Sequence, residues 1–196
     1  MQGPPCDEVE AISRAIKGDP FAYRWLLEKY SSYAFSIVVR IVRNREDAEE
    51  IVQDSFVKAF KALKGFHGSG KFSTWLYRVV YNTTLTRIRN KKVLMDSIEP
   101  FSDTDYEFEI SSIYSEVFDK LINSDQRKLL DQAILTLSES ECLAIALYYQ
   151  CDNTIAEMET VTGWNASTIR IRLFRARQKL YHELSRILKN EITDLL

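Results

Sequence analysis

The residues best suited to chemistry in this 196-residue chain lie between Lys58 and Lys92. Lys58, Lys61, Lys64, Lys71, Arg78, Arg87, Arg89, Lys91 and Lys92 stand there, and no acidic residue falls between Asp54 and Asp96. Phe66, Phe72, Trp75, Tyr77 and Tyr81 are interleaved with them. Cations neutralise phosphates and flat rings accept unpaired bases, so the mixture fits a single-stranded nucleic acid. Within it, Gly65–Lys71 (GFHGSGK) comes close to the phosphate-cradling pattern GxxxxGK. Phe72 stands where that loop needs a hydroxyl for Mg²⁺, and a helix rather than a strand precedes it, so nucleotide hydrolysis is rejected. The glycines instead allow a tight loop that could hold Phe66 and His67 against a ligand. His67 and His182 are isolated, and Cys6, Cys142 and Cys151 form no CxxC pair. The reading is therefore no enzyme, no cofactor, no metal site, and reduced structural thiols.

A second basic segment runs from Thr160 to His182, with Arg170, Arg172, Arg175, Arg177 and Lys179 and no acid. Between the two, Asp96 to Asp125 holds nine acidic residues against Lys120 alone. The formal net charge of −2 conceals this segregation, and local field rather than net charge decides where a polyanion docks.

The elements that must position these residues all read as helices, since no stretch alternates convincingly as a strand. A short helix over Glu8 to Lys17 precedes a long one opened by Asp19-Pro20, a good cap followed by a residue pre-set for the first turn. Asn44 caps the next helix. There Ala48, Ile51, Val52, Ser55, Phe56, Ala59 and Leu63 make a core face, opposite Glu50, Gln53, Asp54, Val57 and Lys61. After the glycine loop, Phe72, Trp75, Leu76, Val79 and Thr83 mark an inner face. Thr74, Tyr77, Arg78, Tyr81, Leu85, Arg89 and Lys92 are expected on the outer one. The segment SIEPFSDTDYEFEISS breaks the period and reads as a linker. Beyond it, one helix is expected to begin at Tyr114 and another to span Asp125 to Leu137. Ser138 and Glu141 form a capping box, and Asn153 is expected to cap a short helix ending at Thr162-Gly163. Asn165 caps a last long helix. A short helix, a Gly-containing turn and a basic helix make a helix-turn-helix. In the last helix Ile169, Leu173, Ala176, Leu180, Leu184 and Ile187 form the core stripe. Ser167, Ile171, Phe174, Arg175 and Gln178 face away, flanked by Arg170 and Arg172. The expected fold is all-α: two small helical domains, 1–92 and 125–196, joined by a flexible acidic linker, 93–124.

Both halves resemble one family, the bacterial RNA polymerase sigma factors of the extracytoplasmic-function group, which keep only sigma domains two and four. The resemblance covers Glu8 to Leu188. It is carried by REDAEEIVQDSFVKAF (Arg45 to Phe60), FSTWLYRVVYNT (Phe72 to Thr83) and STIRIRLFRARQKL (Ser167 to Leu180). It implies that Glu50, Gln53, Asp54 and Val57 dock on the β′ clamp of core polymerase, with the β flap as a further contact. It also implies that Phe66, His67, Lys71, Tyr77, Arg78 and Asn82 bind the melted minus-ten strand, Phe66 and its neighbours forming a base pocket. Ser167, Arg170, Ile171, Arg172, Phe174 and Arg175 would meet the minus-thirty-five duplex. An anti-sigma factor is a further candidate partner.

Two residues depart from the family pattern. Glu159 stands where a small Ala is usual, and Trp164 where an aliphatic residue is usual, which bears on the angle of the recognition helix. No apolar run reaches membrane-spanning length, and MQGPPCDEVE lacks the layout of a signal peptide, so a cytoplasmic protein is expected. The alternative reading is a stand-alone helix-turn-helix transcriptional regulator, which would bind duplex without polymerase.

Overall fold

The computed structural model describes residues 4–95 and 124–194. The chain divides into two units, Met1–Asp105 and Tyr106–Leu196. The expected linker and the expected helix start at Tyr114 lie outside the described residues. Among the described residues there are helices and no strands, and no helix is long and apolar enough to cross a membrane.

The first unit contains α1 (Glu8–Ile16), α2 (Pro20–Val42), α3 (Arg45–Ala62), a single 3₁₀ turn (Leu63–Gly65) and α4 (Phe72–Met95). Its helix starts follow from local chemistry. The Asp7 side chain accepts from the Glu10 N–H at 2.8 Å, Asp19 from Phe21 at 2.9 Å and Asn44 from Asp47 at 2.8 Å. Each satisfies a donor that the first turn leaves unpaired. Helix α2 packs against α1, α3 and α4, and fully buried Leu26, Ile37, Ile51, Leu63, Leu76 and Val80 fill the centre. Each such side chain contributes roughly 1.5–3 kcal/mol through burial. Arg14 ties α1 to the head of α2 through Asp19 at 2.6 Å. Tyr30 donates its hydroxyl to Glu8 across the same seam.

The second unit contains α5 (Ser124–Leu135), α6 (Glu139–Ile145) running into one wide turn (Ala146–Gln150), α7 (Ile155–Thr162) and α8 (Ala166–Asp194). Ile134, Leu137, Cys142 and Ala176 form one cluster of its core, with Leu130, Ile145 and Leu180 against them, and Leu147, Met158, Val161 and Ile169 are fully buried as well. The expected capping box at α6 is present: the Ser138 N–H donates to Glu141 Oε2 at 2.8 Å. One expected cap moves by a residue. Thr154, not Asn153, caps α7, because Thr154 and Glu157 satisfy each other's backbone donors reciprocally, at 2.7 and 3.3 Å,. Asn153 is buried, and its N–H goes back to the Leu147 carbonyl at 3.0 Å. Gly163 ends α7 with φ at +73°, a left-handed conformation that other residues adopt only at a cost. Its N–H donates to the Glu159 carbonyl at 2.9 Å, which sets the turn into α8.

Candidate nucleic-acid interface

Helix α3 presents the acidic face as expected. Gln53 and Asp54 are exposed, and Val57 is 51% exposed. Glu50 is exposed as well, but it accepts from Arg87 of α4, and one turn earlier Asp47 pairs with Lys91 at 2.8 Å. Two cations of the basic segment therefore lean onto α3. Exposed pairs of this kind contribute about 0–1 kcal/mol, so either carboxylate can exchange its partner at little cost.

The glycine loop and the head of α4 build an aromatic nest. Phe66 is half-buried, with its ring 5.5 Å from Phe72 and 5.6 Å from Trp75. Phe72 lies 5.6 Å from Trp75 and 5.5 Å from Tyr30. The loop starts with the Phe66 N–H donating to the Leu63 carbonyl at 3.0 Å. Gly68 takes φ of +70°, which lets the chain double back,. His67 and Lys71 are exposed on the rim, and Arg78 and Asn82 are exposed further along α4. The nest thus offers a flat, partly open apolar surface beside cations, the combination on which an unstacked base can lie.

Tyr77 is a correction. It was expected on the outer face, yet it is 2% exposed, with its ring edge-on to Tyr30 at 6.3 Å. Thr74 and Tyr81 are buried too. The reason is tertiary: α4 packs on both α2 and α3, so it buries two adjacent strips where a one-stripe reading allows one. The outer face is narrower than expected. It holds Arg78, Asn82, Leu85 and Arg89, with exposed Ile88 as an aliphatic neighbour that the expected face did not include.

On α8, Ile171 and Phe174 are 50% and 57% exposed, with Ser167, Arg170 and Arg175 exposed beside them. Asn165 caps the helix, accepting from the Thr168 N–H and the Ser167 hydroxyl, both at 2.8 Å. Arg172 is the second correction. Instead of flanking this face it turns back, and its guanidinium lies 3.6 Å from the centre of the Trp164 ring. At about 100° per residue, position 172 falls beside the buried Ile169 and Ala176 and far from Phe174, a signal that was present in the spacing. Tyr148 and Tyr149, exposed at the wide turn, were also passed over. Arg177 lies 5.7 Å from both rings and donates to the Tyr149 hydroxyl at 2.9 Å.

Residues 26–93 match the family Sigma-70 region 2, and residues 127–180 match Sigma-70, region 4. The chain belongs to the sigma-70 family. Among curated relatives, the ECF RNA polymerase sigma-E factor of Escherichia coli K12 is 29% identical over 185 residues, covering 91% of this chain and 94% of its own length. The RNA polymerase sigma-H factor of Pseudomonas aeruginosa is 29% identical over 193 residues, with 92% and 95% covered. This sigma-70 chain is thus an RNA polymerase sigma factor of the extracytoplasmic-function group. Two solved structures share its fold. CnrH in complex with the cytosolic domain of CnrY is 20% identical, covers 93% of this chain and 99% of that one, and gives a TM-score of 0.58. RpoE in complex with the anti-sigma factor NepR from Bartonella quintana is 20% identical, covers 83% and 96%, and gives 0.62.

Proposed function

We propose that this sigma factor divides initiation between its two units. The acidic face of α3, with Glu50, Gln53, Asp54 and Val57, docks on the clamp of core polymerase, and the second unit meets the flap. The nest at the head of α4 holds a base of the melted minus-ten strand against Phe66. His67, Lys71, Arg78 and Asn82 neutralise and hydrogen-bond the strand around it. Unstacking a base costs a few kcal/mol, which stacking and phosphate contacts offset. Helix α8 reads the minus-thirty-five duplex through Ser167, Arg170, Ile171, Phe174 and Arg175. There an apolar side chain suits a thymine methyl, and arginine suits a guanine edge. An anti-sigma factor that covers either surface would silence it.

The observation that supports this reading most is the half-open Phe66–Phe72–Trp75 nest with Lys71 on its rim. A duplex reader has no use for a ring pocket of this kind, whereas a strand-melting factor needs one. The chain carries the initiation signal without catalysing a bond change itself, and works on the cytoplasmic side, where polymerase and promoter are. The test is photo-crosslinking of holoenzyme to a fork-junction promoter carrying one reactive thymine at each minus-ten position. The expected result is crosslinks on the non-template strand that map to 65–82. Crosslinks confined to the duplex and to α8 would overturn the assignment.

A further inference from the structure

Trp164 sits in the turn between α7 and α8, and Arg172 sits in the second turn of α8. The guanidinium stands 3.6 Å from the indole centre, which is full face contact and well inside the roughly 6 Å range of a cation–π pair. Arg172 Nη1 is buried and, among the described residues, has no hydrogen-bond partner. A guanidinium reserved for a phosphate or a base would keep its donors open; this one surrenders a donor to a stack. The geometry explains how it gets there. Helical side chains tilt towards the N-terminus, so an arginine two turns in reaches back over the start of its own helix. The backbone at Trp164 is itself held, since its main-chain N–H donates to the Thr162 hydroxyl at 3.2 Å. Ile171 and Phe174 meanwhile point outwards from the same turns of α8.

We propose that Trp164 and Arg172 form a clasp that fixes the recognition helix against the turn before it, making Arg172 a positioning residue for promoter reading and not a DNA contact. The inference rests on the reading of α8 as the duplex-contacting helix. It replaces the role that Arg172 would have as one more cation of the basic face. The flat, weakly hydrated guanidinium is what the stack requires, and a lysine ammonium cannot reproduce it although it keeps the charge.

Lysine therefore separates the two roles. In the full chain labelled with 5-fluorotryptophan there are three tryptophans, and W164F identifies the fluorine resonance of Trp164. R172K should move that resonance and leave those of Trp25 and Trp75 in place; an unmoved Trp164 signal overturns the clasp without any reference to DNA. In holoenzyme, R172K should lose affinity for a promoter fragment carrying its minus-thirty-five element about 2- to 30-fold, the range a cation–π contact spans. Its affinity for a scrambled upstream sequence, and the salt dependence of that binding, should stay at wild-type values. W164L should lose as much, and the double variant no more than either single one. Selective binding rescued to wild type by lysine would overturn the positioning role, because charge alone would then suffice. Additive losses would do the same. Wild-type holoenzyme indifferent to the upstream element would instead remove the reading of α8 on which the clasp's function depends, while the fluorine result still stood.

Discussion

Replacing Phe66 with alanine separates the nest's structural and functional parts. In the folded unit the ring touches Phe72 at 5.5 Å and Trp75 at 5.6 Å. Each aromatic contact is worth about 0.5–1.5 kcal/mol beyond burial. Because Phe66 is only half-buried, its loss stays well below the roughly 5–15 kcal/mol that holds a domain together. A base stacked on the ring contributes about 1–3 kcal/mol, which converts to roughly a 5- to 150-fold loss in the open-complex equilibrium. Closed-complex formation, which leaves the duplex paired, should change less than about 2-fold by the same conversion. The assay is permanganate reactivity of minus-ten thymines in holoenzyme complexes, set against filter retention under conditions that hold the closed state. Phe66→Leu adds a control: it keeps apolar cover over Trp75 but offers no flat face, so its stability should approach wild type while its melting follows alanine. Equal losses in the closed and open states would refute the reasoning. So would full melting by the leucine variant.

Other consequences can be checked alongside. Val57→Asp adds a carboxylate to an exposed position on α3, so thermal unfolding should be unchanged within about 0.5 kcal/mol, while affinity for core polymerase by fluorescence titration should fall. Gly163→Ala forces a left-handed backbone onto a residue with a Cβ, which should cost about 1–2 kcal/mol in urea unfolding and weaken duplex reading with it. Burial pushes the Glu141 carboxyl up, but hydrogen bonds from Lys179 and from Ser138 outweigh it and hold the group below its usual 4.5. Its folded value is depressed, so its contribution to stability is fully present above pH 4.5 and is lost as pH falls through the lower folded value,. Glu141→Gln should flatten that part of the acid unfolding curve of the second unit; a curve of unchanged slope would contradict the linkage.

Much of this molecule was legible in its sequence because the decisive signals are local. Asp19-Pro20, Asn44 and Ser138 mark helix starts through hydrogen bonds made within three residues. The stripe of α3 follows from period alone, since its buried residues Ala48, Ile51, Val52, Ser55, Phe56 and Ala59 are those the period selects, and buried Ile169, Leu173 and Ala176 do the same on α8. The glycines of GFHGSGK announced a tight loop, and within it Gly68 takes φ of +70°. What sequence period could not show is how many neighbours a helix has. Tyr77 and Tyr81 stand among arginines and look exposed, but α4 packs against both α2 and α3, and both tyrosines are buried, Tyr77 beside Tyr30 of α2. Arg172 looked like one cation among five. Only the turn carrying Trp164, folded over the start of α8, reveals where its guanidinium goes. Asn153 and Thr154 are both good caps, and the choice between them was made by Glu157, three residues after Thr154, which closes the reciprocal pair with it.

As a sigma factor, this chain should direct core polymerase to promoters and open them. Run-off transcription with purified core polymerase on a library of promoter fragments from the source genome measures that directly. Transcripts are expected from a subset sharing an upstream and a minus-ten element, present with the chain and absent without it. No stimulation on any fragment, with the chain folded and bound to core, would contradict it.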